Sequence, residues 1–98
     1  MIRQALFIEI SESLLNDYAA MRRRNLQAAN SFAAAVHSDP VLRNAADHAS
    51  ERHQFGVDIL EIAIRTAVTN LNIALPADKR FDPEKFLTIR DVTNSQDS

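Results

Sequence analysis

Glycine and proline are so sparse in this chain that they limit its fold more than any other feature. The first proline is Pro40, the next is Pro76, and Gly56 is the only glycine among the 98 residues. Both residue types are disfavoured inside helices, whereas turns use them often. Their spacing therefore predicts an all-α fold with two long helices, over about residues 3–37 and 40–74.

Apolar residues in both segments recur every three or four positions, which is the period of a helix face. In the first segment the stripe consists of Phe7, Leu14, Tyr18, Met21, Ala28, Phe32 and Ala35. In the second segment one stripe consists of Val57, Leu60, Ile64, Val68, Leu71 and Leu75, and an adjacent one of Phe55, Ile59, Ile62 and Ile73. Residues 2–10 also alternate as a short strand would, so helix is favoured there with strand as the alternative.

The sequence Ser38-Asp39-Pro40 has the features of a turn followed by a helix start. Asp39 can accept a hydrogen bond from a free backbone amide of the first turn, and Pro40 suits the first helical position because it has no amide hydrogen. A turn this short makes the two helices antiparallel and places residue i near residue 77 − i. We therefore expect a helical hairpin.

A second helix start follows at Asp82 and Pro83, where Phe81 and Phe86 are spaced to pack on each other as a hydrophobic staple. We expect a short helix there, over about residues 83–89. The domain limits predicted in this way are residues 1–90 for one helical domain and residues 91–98 for a flexible tail.

Both long helices have apolar faces wider than one antiparallel neighbour can cover, and exposing such side chains costs about 1.5–3 kcal/mol each. We therefore expect a homodimer in which two hairpins form a four-helix bundle. The predicted dimer interface is the stripe of Val57, Leu60, Ile64, Val68 and Leu71. Small residues along the second helix would allow close helix packing, namely Ala45, Ala49, Gly56, Ala63 and Ala67. The alternative is a monomer covered by its own C-terminal residues, with Phe81, Phe86, Leu87 and Ile89 folding back.

Charge and cysteine content argue against several classes of protein. Eleven basic and thirteen acidic residues give a net charge of −2, without the basic excess of nucleic-acid binders, so direct nucleic-acid binding is not expected. Without cysteine there is no disulfide and no thiolate metal site, and no cofactor is predicted. No apolar segment approaches the ~20 residues of a membrane span, and no signal peptide is recognisable. We expect a cytoplasmic protein.

The run Arg22-Arg23-Arg24 is the only run of like charge and supplies the candidate binding residues for phosphates or an acidic partner. Three consecutive residues spread over about 200° of a helix, so they cannot form one flat patch. Ion pairing across the hairpin is the favoured interpretation, with carboxylates of the second helix as partners: Glu51, Asp58 and Glu61.

Two carboxylate pairs, Glu9 with Glu12 and Asp58 with Glu61, are spaced so that each pair shares a helix face. Such pairs bind metals in ferritin-like proteins and in helical nucleotide pyrophosphohydrolases. The first pattern requires Glu-x-x-His, and no glutamate here has histidine three residues later. The second has a further Glu-x-x-Asp helix, whereas the order here is Asp-x-x-Glu. We predict no metal site and interpret both pairs as solvated surface.

The six residues from Arg43 to His48 read Arg-Asn-Ala-Ala-Asp-His and match the pattern Arg-Asn-x-x-x-His. This resembles the signature of the HEPN family of small helical RNases. In that family the arginine and histidine meet across a dimer interface and cleave RNA without a metal, which would give Arg43, Asn44 and His48 catalytic roles. The competing interpretation is an ion pair between Arg43 and Asp47, four residues apart on a solvated helix turn.

The favoured function is that of a non-enzymatic interaction protein: a small regulator, inhibitor or accessory subunit that occupies a surface of a larger macromolecule. The expected partner is a larger protein or nucleoprotein. Wide apolar helix faces suit binding, and no other constellation of residues matches a catalytic pattern. A metal-independent RNase that uses Arg43, Asn44 and His48 is the alternative.

Overall fold

The computed structural model describes residues 2–88, and in these residues all regular structure is helical. The helices are α1 (Ile2–Ala34), α2 (Pro40–Ala74) and α3 (Glu84–Leu87), with a single 3-10 turn at Ala77–Lys79 between the last two. The prediction of an all-α chain with two long packed helices and a short third one is confirmed. Residues 2–10 belong to α1, which rejects the strand alternative. Ile89, at the end of the predicted short helix, and the predicted tail over residues 91–98 lie outside the described residues.

The turn between α1 and α2 is built around Asp39, as its sequence indicated. The Asp39 side chain accepts a hydrogen bond from the amide of Val41 at 2.8 Å, and Pro40 occupies the first helical position. α1 ends at Ala34, earlier than predicted, and the next carbonyl, that of Ala35, accepts a hydrogen bond from Arg43 at 2.6 Å. An arginine of α2 therefore satisfies a backbone oxygen released at the end of α1.

The register of the hairpin is shifted by only one or two residues from the one that a tight turn would produce. That register would place His48 opposite Ala29, whereas the hydroxyl of Ser50 donates to the carbonyl of Ala29 at 2.8 Å. The physical reason is the non-helical connection of residues 35–39, which lets the start of α2 shift relative to α1. Further along, Asn25 and His53 face each other, with 3.0 Å between Oδ1 and Nδ1.

Gly56 lies where the two helices approach closely. A Cβ atom at this position would lie 3.2 Å from Oδ1 of Asn25, closer than most side-chain contacts. The Asn25 amide is itself held by a hydrogen bond to the carbonyl of Met21. A glycine inside a helix costs about 1 kcal/mol relative to alanine, and the packing of Asn25 accounts for its presence.

The C-terminal segment (residues 76–88) folds back over one face of the hairpin and completes its core. Phe86 is only 2% exposed. Its ring packs edge-on against Phe81 with 6.0 Å between centroids, and the Asp82 carboxylate accepts a hydrogen bond from the amide of Glu84. The core cluster consists of Leu15 and Ala19 from α1, Ile64 and Val68 from α2, and Phe86 and Leu87 from the segment.

This packing corrects the place of the stripe that we predicted as a dimer interface. Val57, Ile64 and Val68 are buried within the single chain, and Leu60 and Leu71 are half-buried. Their cover comes from α1 and, around Ile64 and Val68, from the C-terminal segment, so these three side chains are not free to contact a second copy. Whether the chain dimerises stays a prediction, and of this stripe only the half-buried Leu60 and Leu71 could still contribute to an interface.

The core role of Phe86 can be tested by removing its ring. We expect Phe86→Ala to lower the free energy of unfolding by about 3–5 kcal/mol, because the substitution leaves a cavity between α1 and α2. Phe55→Ala is the matched control, since Phe55 is 65% exposed and its loss should change stability by about 0.5 kcal/mol or less. Urea unfolding followed by circular dichroism measures both. Equal losses in the two variants would contradict this packing.

Candidate functional site

The three consecutive arginines of α1 have different surroundings. The Arg22 side chain is 11% exposed, and its Nη1 donates to the carbonyl of Leu87 at 3.0 Å, while Nη2 lies 3.7 Å from Glu61. Arg22 thus links α1, α2 and the C-terminal segment. Arg23 is half-buried and Arg24 is exposed. The three arginines therefore form no common anion-binding patch. The contact of Arg22 with Glu61 is an ion pair across the hairpin, the interpretation that the sequence favoured.

Arg43, the first residue of the RNase-like pattern, is engaged at the turn. Its Nε donates to the Asp47 carboxylate at 3.2 Å, Nη2 contacts the same oxygen, and Nη1 donates to Ala35. The hydrogen bond from Arg43 lowers the pKa of Asp47 below its ordinary value, and the same contact raises the pKa of Arg43. Arg43 therefore joins the start of α2 to the end of α1.

The other residues of that pattern are on the surface. Asn44 and His48 are exposed, and Nδ1 of His48 lies 3.9 Å from the carboxylate of Glu51, one helical turn further along. His48 is therefore a solvated side chain, and the contacts of Arg43 are structural.

Three of the four paired carboxylates contact side-chain donors. Glu12 lies 3.5 Å from Lys85, Asp58 accepts from Gln54 at 3.3 Å, and Glu61 lies 3.5 Å from Arg65. Lys85 and Arg65 are cations, so the charge of their partners is compensated within the chain. These contacts agree with the interpretation of both pairs as solvated surface.

One broad face of the hairpin is apolar and uncovered in the single chain; we call it the apolar face. From α1 it includes exposed large side chains, namely Phe7, Leu14, Tyr18, Met21 and Phe32. A groove of about 330 Å³ runs along it, lined by Ser11, Leu14, Leu15 and Tyr18 from α1 and by Ala67, Asn70 and Leu71 from α2. Further along the same face, the Phe32 ring stacks on His53 with 5.7 Å between centroids.

The C-terminal segment covers the opposite face. Lys85 reaches Glu12, and Arg65 donates to Glu84 at 3.0 Å. Glu12 is two positions from Leu14, which puts it about 200° away around α1. The segment and the apolar face therefore occupy different sides of the hairpin.

A second exposed surface follows the side of α2 that points away from α1; we call it the outer ridge. It consists of Phe55, Ile59, Ile62 and Ile73, which are 48–78% exposed. From helical spacing alone, these residues form a stripe adjacent to that of Val57 and Ile64, and the two stripes together suggested one wide core-facing surface. Angular position shows the difference, because Phe55 and Ile59 each lie about 200° from Val57 around the helix.

Compared with known proteins, this chain matches no protein-family model, no curated protein and no solved structure. Among residues 2–88, no helix is both long and apolar enough to cross a membrane. In the same part of the chain, no three metal-ligating side chains lie close enough together to hold an ion. The apolar face and the outer ridge are the features on which a function can be proposed.

The different roles of the arginines predict different losses of stability. We expect Arg22→Ala to lower the free energy of unfolding by about 1.5–3 kcal/mol, because it removes a charged donor from the Leu87 carbonyl. Arg24→Ala is the matched control on the exposed side of α1 and should change stability by about 0.5 kcal/mol or less. Urea unfolding of both variants checks this, and an equally large loss in Arg24→Ala would contradict it.

The contact between Arg43 and Asp47 predicts a pH dependence. Because the folded chain lowers the pKa of Asp47 from its ordinary 3.8, the pair stabilises the fold fully above that pH. This contribution is lost as the pH falls through the lower folded value. NMR titration should show the pKa of Asp47 returning toward 3.8 in Arg43→Ala. The same pKa in both proteins would mean that the contact is not formed in solution.

Proposed function

We propose that this chain is a non-enzymatic helical interaction protein, a small regulator, inhibitor or accessory subunit that binds a larger protein in the cytoplasm. In this proposal it acts as a homodimer with a four-helix core. The single observation that supports binding is the outer ridge, where Phe55, Ile59 and Ile62 are 65%, 48% and 64% exposed on one side of one helix.

The spacing of the ridge suits a particular kind of partner. Phe55, Ile59 and Ile62 stand at i, i+4 and i+7, the pattern by which a single helix fills an apolar groove in another protein. Each side chain would contribute about 1.5–3 kcal/mol if the partner buried it fully. Arg52 and Asp58 are exposed beside the ridge and would form a polar rim that sets the orientation.

An RNase function has less support from the geometry. The Arg43 guanidinium makes three contacts, two with the Asp47 carboxylate and one with the Ala35 carbonyl. His48 faces Glu51. Catalysis by these residues would require Arg43 to leave contacts that close the turn between α1 and α2. We therefore propose binding as the function, with RNA cleavage as the outcome that would replace it.

The ridge is tested on a partner isolated with the wild-type chain and then purified. We expect Ile62→Glu and Phe55→Glu each to weaken its binding at least about tenfold, because each places a charge in an apolar groove. Val36→Glu is the matched control, since Val36 is 94% exposed in the turn and distant from the ridge. Isothermal titration calorimetry gives the dissociation constants.

Two results would contradict this function. Unchanged affinity in both ridge variants would reject the outer ridge as the binding surface. Cleavage of RNA in the presence of EDTA that disappears in both Arg43→Ala and His48→Ala would show that the chain is an enzyme.

A further inference from the structure

The apolar face has two kinds of surface side by side. Along α1 it presents a row of large side chains, the large row: Phe7, Leu14, Met21 and Phe32. Along α2 it presents a row of small residues, the small row: Ala49, Gly56, Ala63 and Ala67. Leu14 and Ala67 line the same groove, and Asn25 contacts Gly56 about three helical turns away. Large side chains of α1 therefore stand beside small ones of α2.

The apolar face is also nearly free of charge. At steps of three or four from Phe7 to Phe32, its α1 positions are occupied by Phe7, Ser11, Leu14, Tyr18, Met21, Asn25, Ala28 and Phe32. None of these is Asp, Glu, Lys or Arg, and the α2 residues of the groove, Ala67, Asn70 and Leu71, are also uncharged. The polar atoms of Asn25 and His53 at its centre contact each other. Charged side chains occur at its edges: Arg24 lines a second pocket with Met21, Asn25 and His53, and Arg52 is exposed one turn before Gly56. A partner therefore meets uncharged residues along the groove and charges only at its rim.

We infer that the apolar face is where a second copy of this chain docks, with the large row of each copy on the small row of the other. This inference rests on the proposed homodimer and specifies its interface. A two-fold axis parallel to the helices, lying in the plane of the face, puts α1 of each copy over α2 of its partner. Such an axis causes no shift along the helices, so Leu14 enters the groove beside the partner subunit's Ala67.

The size of the face agrees with a stable dimer. From Phe7 to Phe32, α1 extends about 38 Å at 1.5 Å per residue. Two packed helices, with axes 8–10 Å apart, are together about 19 Å wide. The resulting area of roughly 700 Å² per copy is close to the ~800 Å² per partner of a standard specific interface. The outer ridge points to the side in this arrangement and stays free in both copies.

The first experiment measures mass at micromolar concentration by light scattering. We expect the wild-type chain to show twice its mass of 11.0 kDa. We expect Leu14→Glu to return to the single-chain mass with its helicity retained, because Leu14 is 52% exposed in the single chain. Ile62→Glu, which places the same charge on the outer ridge, is the matched control and should stay dimeric.

The second experiment uses the lack of cysteine in the chain, so that introduced thiols have no competitors. Mixing Leu14→Cys with Ala67→Cys should give a disulfide-linked dimer on mild oxidation, with little linking in either variant alone. Leu14→Cys mixed with Ile62→Cys is the control pair and should remain unlinked. Efficient linking of Leu14→Cys to itself would indicate α1 packed on α1 and would overturn the large-on-small arrangement.

The outcomes separate this interface from the broader function. A wild-type mass of 11.0 kDa at all concentrations overturns both the dimer and its interface but leaves binding by the outer ridge intact. A dimer that persists in Leu14→Glu keeps the proposed dimer and overturns only the assigned surface. Another protein bound on the apolar face of a monomeric wild-type chain would likewise overturn the inference.

Discussion

The fold depends on the burial of Phe86 and Leu87 against one face of the two long helices. α1 and α2 alone form one layer, in which Leu15, Ile64 and Val68 would be in contact with water on one side. The C-terminal segment removes that contact, and the Asn72 side chain holds its middle by hydrogen-bonding the carbonyl and the amide of Phe81, at 2.9 and 2.8 Å. Because the segment covers one face only, it also determines which face of the hairpin remains apolar and open.

The parts of this fold that follow from local chemistry could be predicted from the sequence. Asp39 and Pro40 mark the start of α2, and Phe81 and Phe86 pack as a staple, because caps and staples involve residues a few positions apart. The register across the hairpin could not be predicted in the same way. It depends on the path of residues 35–39 and on contacts such as Arg43 with Ala35, which periodicity does not encode.

For the candidate surfaces too, the local pattern could be predicted from the sequence and the packing partners could not. Helical spacing identified the apolar stripes of α2 but not their neighbours, since an angle around one helix does not say what packs against it. The stripe of Ile64 and Val68 turned out to be covered from within the chain, whereas Phe55, Ile59 and Ile62 point outward. The role of Arg22 was foreseen in kind, as an ion pair, but its bond to the Leu87 carbonyl required knowing where the C-terminal segment lies.

Core residues that pack on each other are far apart along the chain, and this separation affects how the protein folds during its synthesis. Leu15 packs in one cluster with Phe86, so residues near the two limits of the described chain must come together. During synthesis at about 5–20 residues per second, Phe86 emerges from the ribosome about 0.6–2.4 s after the end of α2 at Ala74. In that interval the open hairpin exposes Ile64 and Val68 as well as the apolar face, so the incomplete fold is more prone to aggregation than the finished one.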